Sequence, residues 1–390
     1  MACPVKDNTS IQSAIELVSA QGFDGVAEAI GIIINQAMLL ERNKYLQAEP
    51  YQRTAERQGH ANGFKPKTVR SRVGELDLQV PQVRDSSFYP SALERGIRSE
   101  RALKLAVAEM YVQGVATRKV KAITEELCGF EVCSTDVSRA AKLLDESLEK
   151  WRNRPLGSCE YLFLDARYEK VRRDGAVVDS AVLIAYGVGQ DGKRCIVGVS
   201  VSLSEQEVHW REFLTSLVER GLHGMKLIIS DAHAGLKAAK RAVFPSVPWQ
   251  RCQFHLQQNA QSYVLKKSMK KEVASDIRSI LQAPDDEEAK RLLQKIIKKY
   301  QDSAPELAAW MEKNVPESLT VMQFPEHHRK KIRTSNIAER VNREIKRRTR
   351  LVSIFPNVES CLRLVSAVAC EIDEEWQTGK TYIAMASDEL

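Results

Sequence analysis

In Glu160-Tyr161-Leu162-Phe163-Leu164-Asp165 an apolar strand ends on a carboxylate. A charge in such a run is costly unless a cation or a partner compensates it. A second stretch, Leu227-Ile228-Ile229-Ser230-Asp231, repeats the pattern. Its aspartate falls at the carboxyl end of a predicted parallel strand, the edge where open α/β sheets place ligands. Taken alone, such an acid also reads as a loop aspartate or a helix cap. A third acid, Glu339, sits in the basic stretch Thr334-Ser335-Asn336-Ile337-Ala338-Glu339-Arg340-Val341-Asn342-Arg343-Glu344. Two acids on strands and one on a later basic helix form the ligand set of two-metal phosphoryl transfer. Hard carboxylate oxygens on rigid elements hold two Mg²⁺ ions, or Mn²⁺ in their place, about 3.5 to 4 Å apart.

At about 100° per residue, Ile337, Ala338, Val341 and Ile345 form the apolar stripe of the last helix. Ser335, Glu339, Asn342 and Lys346 share its polar face. Glu344 competes with Glu339, although Arg340 and Arg348 stand four residues on either side of it and ordinary helix ion pairing accounts for it. Between 320 and 350 there are ten basic and three acidic side chains, an excess equal to the +7 of the whole chain. A charge run is usually a solvated face. Next to candidate metal ligands, Arg340, Arg343, Lys346, Arg347, Arg348 and Arg350 read instead as phosphate contacts.

Around these acids, residues 160–255 alternate as an α/β domain. Strands are predicted near 160–168, 181–186 and 195–201, then a helix over 208–220, a strand over 226–230, a helix over 235–243 and a short strand near 249–254. That order matches a ribonuclease H-like core. Helical patterning over 256–331 reads as an all-helical insertion, after which the core resumes over 332–390. Upstream, residues 1–62 carry two helices broken near Gly22 and a polar connector. Residues 63–99 hold a β-hairpin bending at Gly74, basic through Lys65, Lys67, Arg70 and Arg72. Residues 100–152 resemble a helix-turn-helix, with Ser134 or Thr135 capping the second helix. DNA contact and a purely structural helical pair both fit this last pattern.

The 390 residues, 43% hydrophobic and 28% charged, suit a globular protein of two to four domains. Apolar runs are too short to span a membrane, and no leader pattern precedes the first helix. A cytoplasmic, nucleoid-associated protein is expected. Eight cysteines without a regular framework are expected to be reduced thiols. Cys252 and His255, three apart, are ligand-type residues lacking a matching second pair, which argues against zinc and for a structural or DNA-proximal role. Trp249 reads as core or as a stacking platform for an unpaired base. His233 reads as structural rather than as a proton carrier.

The chain resembles the Mutator-type DDE transposases of bacterial insertion sequences along nearly its whole length. The first motifs are Asn62-Gly63-Phe64, Lys67-Thr68-Val69, Gly74-Glu75-Leu76, Val115 to Arg118 and Val137-Ser138-Arg139. Then come Leu164-Asp165-Ala166, Trp210 before Arg220-Gly221-Leu222, and Ser230 to His233 with Gly235-Leu236. Last are Gln250-Arg251-Cys252 with His255 and Asn259, and Ser335-Asn336 through Glu339-Arg340. The resemblance implies that Asp165, Asp231 and Glu339 are the catalytic triad. It implies binding of double-stranded terminal inverted repeats and target DNA, end cleavage, joining of the freed 3′-OH, a homodimer, and no nucleotide cofactor. Lys67, Arg70, Arg72, Arg118 and Arg139 are the expected upstream DNA contacts. Two rivals remain: a nuclease or resolvase of the same fold without strand transfer, and a non-catalytic repressor derived from a transposase.

Overall fold

The computed structural model describes residues 9–84, 87–93, 95, 99–264 and 266–385; the side chains of Asn336 and Ile337, like Cys3, lie outside that set. It divides into two compact units, residues 1–144 and 145–390.

In the first unit α1 (Thr9–Gln21) and α2 (Val26–Leu46) are separated by a 3-10 turn over Gly22–Gly25. By length and composition Thr9–Leu46 is apolar enough to cross a membrane, contrary to the expectation from short apolar runs. The turn breaks it into two helices, and α2 packs on the hairpin through Met38 against Leu76 and Leu78. The hairpin strands are β1 (Ala61–Ser71) and β2 (Gly74–Val83), with Ser71 opposite Gly74. Gly74 adopts φ +124°, a conformation L side chains rarely take.

Three helices complete this unit: α3 (Arg101–Val112), α4 (Thr117–Cys128) and α5 (Ser134–Ala141). Val107, Ala108, Val120, Phe130, Val137 and Ala140 form their shared core. Cys133, not Ser134 or Thr135, is the N-cap of α5. The Asp136 carboxylate reaches back to accept from the Cys133 N–H at 3.4 Å and from its thiol at 3.1 Å. The acid at the third helical position thus satisfies the N-cap amide, and the Cys133 sulfur stands where a capping hydroxyl would face the Asp136 N–H.

The second unit is mixed α/β. It begins with α6 (Asp145–Arg152), so the compact boundary falls at Leu144 rather than after residue 152. The reason is electrostatic: Asp145 accepts from Arg363 at 2.8 Å. Next come β3 (Tyr161–Arg173), β4 (Ala176–Val188), β5 (Arg194–Ser202), α7 (Glu207–Glu219), β6 (Leu227–Ser230), α8 (Ala234–Val243) and β7 (Trp249–Arg251). The sheet order is β5-β4-β3-β6-β7, antiparallel across β3, β4 and β5 and parallel from β3 through β6 to β7.

Helices α9 (Gln253–Ala260), α10 (Lys270–Leu281), α11 (Asp286–Tyr300) and α12 (Pro305–Asn314) build a separate core around Leu256, Ile277, Ile280, Leu293, Leu307 and Met311. After α13 (Glu326–Ile332) the chain returns to the sheet as α14 (Asn336–Val352) and α15 (Val358–Thr378).

Alternation along the strands sorts the two faces of the sheet. Leu162, Leu164, Leu183 and Ala185 pack under α7 and α8 with Trp210, Phe213 and Leu236. On the other face α14 lies on β3, and α15 lies on β3 and β5. Both faces are covered, which explains why residues 180–188 read as an almost unbroken apolar run.

Asp373 pins α15 in place. Its carboxylate accepts from Ile196 N at 2.7 Å, Arg154 Nη2 at 2.9 Å and Trp151 Nε1 at 3.3 Å. Asp373→Ala would leave the half-buried Arg154 without its carboxylate and a strand amide without its acceptor. It should cost about 3 kcal/mol of unfolding free energy, read as a lowered denaturation midpoint; an unchanged midpoint would contradict this account of α15.

Candidate active site and nucleic-acid interface

The parallel register of β3 and β6 sets the geometry. Tyr161, Leu162 and Phe163 pair with Leu227, Ile228 and Ile229. Two residues further on stand Asp165, within β3, and Asp231, just past the end of β6. Alternation puts Asp165 on the face that α14 covers. Asp165 senses Asp231: burial pushes its carboxyl up to about 6, Asp231 adds to the rise, and a hydrogen bond from Asn342 and nearby His255 oppose it.

Helix α14 approaches along a polar seam. Asn342 Nδ2 donates to Asp165 Oδ2 at 2.5 Å, and Arg167 Nη1 donates to the Asn342 carbonyl at 2.5 Å. Arg167 pairs with Glu169 at 2.6 Å, and Thr349 Oγ1 donates to the same carboxylate at 3.1 Å. Asp165, Arg167 and Glu169 alternate on one face of β3 and meet two turns of the helix. Glu339 lies one turn before Asn342, exposed in the first turn of α14. Glu344 is held in a helix ion pair, but with Arg347 at 3.0 Å rather than with Arg340 or Arg348, which pair with Glu375 and Glu371 on α15.

Among the described residues no three His, Cys, Asp or Glu side chains already stand close enough to hold one metal ion. The donor chemistry still suits one. Among the described residues neither Asp165 nor Asp231 forms an ion pair within 4 Å, and Asn342 Oδ1 is buried with no hydrogen-bond partner. These are hard oxygen donors of the kind Mg²⁺ and Mn²⁺ take.

Cys252 and His255 lie at the back of this site. Cys252 is fully buried, and its sulfur accepts from Ser335 N and Oγ, each at 3.3 Å, which fastens the start of α14 to the end of β7. Burial would raise the Cys252 thiol, but hydrogen bonds from His255 and Ser335 outweigh it and hold the thiol below its usual range. His255 is pushed up to about 8, first by its bond to Cys252 and also by Asp165 and Asp231. His233, at the N-cap of α8, donates its backbone N–H to Asp231 Oδ1 at 3.3 Å.

The strand pattern gave no sign of Glu205. Its carboxylate lies 4.0 Å from His233 Nδ1, and its pKa is raised by burial and by Asp231. Gly235 admits it, because a Cβ there would come within 2.3 Å of the Glu205 carbonyl. Trp249 is half-buried: its Nε1 donates to Ser230 Oγ at 2.9 Å, and Lys237 lies 4.6 Å over its ring.

The basic residues of α14 separate into two sets. Arg348 is buried and paired with Glu371 at 2.8 Å, so it is withdrawn from the expected phosphate contacts. Arg340 is exposed and paired with Glu375 at 2.7 Å. Arg343, Lys346, Arg347 and Arg350 are exposed, and with Glu339 they fall within about 100° of the helix circumference.

In the first unit a groove of about 1110 Å³ brings together Lys67, Arg70 and Arg139 over a floor that includes Leu103, Val107 and Phe130. Arg70 pairs with Glu75 at 3.0 Å and Asp136 at 3.7 Å, Arg139 pairs with Asp136 at 3.4 Å, and Lys67 donates to Tyr89 at 2.9 Å. Outside the groove, Arg72 pairs with Glu100 at 3.1 Å. Arg118 is exposed near the start of α4. The seven described cysteines are free thiols.

Residues 4–379 match the profile of the family described as Transposase, Mutator family. The chain is 56% identical over 385 residues to the transposase for insertion sequence element IS406 of Burkholderia multivorans, covering 98% of this chain and 99% of that one. It is 42% identical to the transposase for ISRM5 of Rhizobium meliloti, with 97% and 95% covered. It is 38% identical to the IS256 transposase of transposon Tn4001 from Staphylococcus aureus, with 88% and 89% covered. A solved structure, that of NurA, is 14% identical over 62% of this chain and 63% of that one with a TM-score of 0.14, too slight a likeness to bear on the fold. With a profile match spanning nearly the whole sequence and relatives matched almost end to end, the chain belongs to the Mutator family of transposases.

Proposed function

We propose that this protein is a DNA transposase whose second unit is a ribonuclease H-like catalytic core interrupted by a helical insertion. It binds the terminal inverted repeats of its element, cuts the ends and joins the freed 3′-OH to a second DNA strand. The observation that supports the reading best is the hydrogen bond from Asn342 to Asp165, which brings α14 to the carboxyl edge where β3 and β6 run parallel toward Asp165 and Asp231. The sheet order supports the core assignment, and family membership supports the cutting and joining of DNA.

Asp165, Asp231 and Glu339 are the residues that would hold Mg²⁺ or Mn²⁺. Bound there, a pair of ions activates the attacking oxygen and stabilises the leaving one. The first reaction breaks a phosphodiester at the element's end with water as nucleophile. In the second the freed 3′-OH displaces a 3′-oxygen of the target strand, so one phosphodiester forms as another breaks and no nucleotide is consumed. Arg343, Lys346, Arg347 and Arg350 carry positive charge away from Glu339 for about 16 Å, at 1.5 Å per residue, and hold backbone phosphates along that path. The cationic groove of the first unit engages the inverted repeat. A homodimer pairs the two ends.

In a Mg²⁺-dependent assay on duplex ending in the element's inverted repeat, Asp165→Asn, Asp231→Asn and Glu339→Gln should each abolish cutting and joining while end binding persists. Cutting without joining by the wild type would favour a nuclease. Arg343→Ala with Lys346→Ala should weaken DNA binding and reduce the salt slope by about 2, roughly one for each phosphate no longer neutralised; an unaltered slope would remove this face from the DNA path.

Asp165 also predicts a pH dependence. Its folded value of about 6 lies above the unfolded value near 3.9, so the fold favours the neutral form. The resulting stability is fully present below pH ~4 and lost as pH rises through ~6. In chelator at pH 7.5, Asp165→Asn should be more stable than wild type by up to about 3 kcal/mol, an upper bound because the carboxylate keeps some solvent contact. The two proteins should converge near pH 4, and equal stability at pH 7.5 would contradict the burial argument.

A further inference from the structure

We propose that Asn342 is a positioning residue for Asp165, one whose amide nitrogen fixes the carboxylate and whose carbonyl oxygen is a neutral oxygen donor in the same site. This rests on the reading of Asp165 as a metal ligand and assigns a task to a side chain outside the acidic triad.

An ionised carboxylate only accepts, so the group donating to Asp165 Oδ2 at 2.5 Å must be the Asn342 NH2. That bond fixes the other end of the amide. Asn342 Oδ1 shares a carbon with the donating nitrogen and therefore stands beside the same carboxylate. It is buried, with no hydrogen-bond partner among the described residues. Buried acceptors in folded proteins are nearly always satisfied by protein, water or an ion, and the ionised carboxylate beside this one can donate nothing. A cation there would satisfy the orphan oxygen together with the carboxylate.

The side chain is not needed to hold the helix. Arg167 grips residue 342 through its backbone carbonyl, and Thr349 grips Glu169 two turns further on. Any residue at 342 keeps those contacts. Groups that orient a metal's ligands commonly change metal affinity by about 10- to 100-fold.

The test compares full-length wild type, Asn342→Leu, Asn342→Asp and Asp165→Asn without DNA, following Mn²⁺ binding by electron paramagnetic resonance and metal-free unfolding by heat. Asn342→Leu keeps the volume and loses both amide functions. It should weaken Mn²⁺ binding by about tenfold or more and lower the metal-free midpoint only by the loss of one hydrogen bond to Asp165. Asn342→Asp keeps an oxygen donor and sets a like charge against Asp165, so it should bind Mn²⁺ within a few-fold of wild type although it loses at least as much metal-free stability. Unchanged binding by Asn342→Leu, or an equal loss of binding by Asn342→Asp, would overturn the proposal and leave Asn342 a packing residue. Undiminished binding by Asp165→Asn would instead overturn the assignment of the ion site itself.

Discussion

Two carboxylates at the carboxyl edge of adjacent parallel strands repel each other, and the second unit is organised around tolerating that repulsion. The register of β3 and β6 runs toward Asp165 and Asp231 and is set by backbone bonds that side-chain rearrangement cannot undo. Around them stand an amide donor from α14, a backbone N–H from the N-cap of α8 and His255, pushed up to about 8. Asp165 is raised all the same, first by burial and also by Asp231. Incomplete compensation in a buried site is a sign of pre-organisation for a cation, because full internal pairing would leave an ion nothing to gain.

The seam between β3 and α14 turns that local chemistry into architecture. One face of β3 presents Asp165, Arg167 and Glu169 in alternation, and α14 answers with Asn342 and Thr349. The same contact fixes the rotation of the helix. It follows that Glu339 lies at the aspartate end and that the exposed arginines and lysine run outward from it. Cys252 secures the start of the helix by accepting from Ser335. A motif whose spacing resembles half a zinc site supplies a clamp here, through the Cys252 sulfur.

Much of this was legible in the sequence because it rests on period and polarity. The strands of residues 160–255, the hairpin turning at Gly74 and the helix opening near Ser335 all announce themselves through alternation or turn chemistry. The acids were legible for the opposite reason, as charges breaking apolar runs. Other features were not legible, since they depend on partners far away in the chain. Arg348 looks like its neighbours until the fold buries it against Glu371. Arg70 and Arg139 look free until Asp136 meets both. Glu205 enters the site only because Gly235 has no side chain. Cys133 caps α5 through its sulfur while Asp136 reaches back to its amide, which a search for a hydroxyl overlooks.

The most direct test of the central claim is anomalous diffraction from crystals of the full chain soaked in Mn²⁺. The account predicts peaks bridging Asp165 and Asp231, with the Glu339 carboxylate drawn in from solvent as a ligand. Peaks confined to Cys252 and His255, or none near the two aspartates, would contradict it.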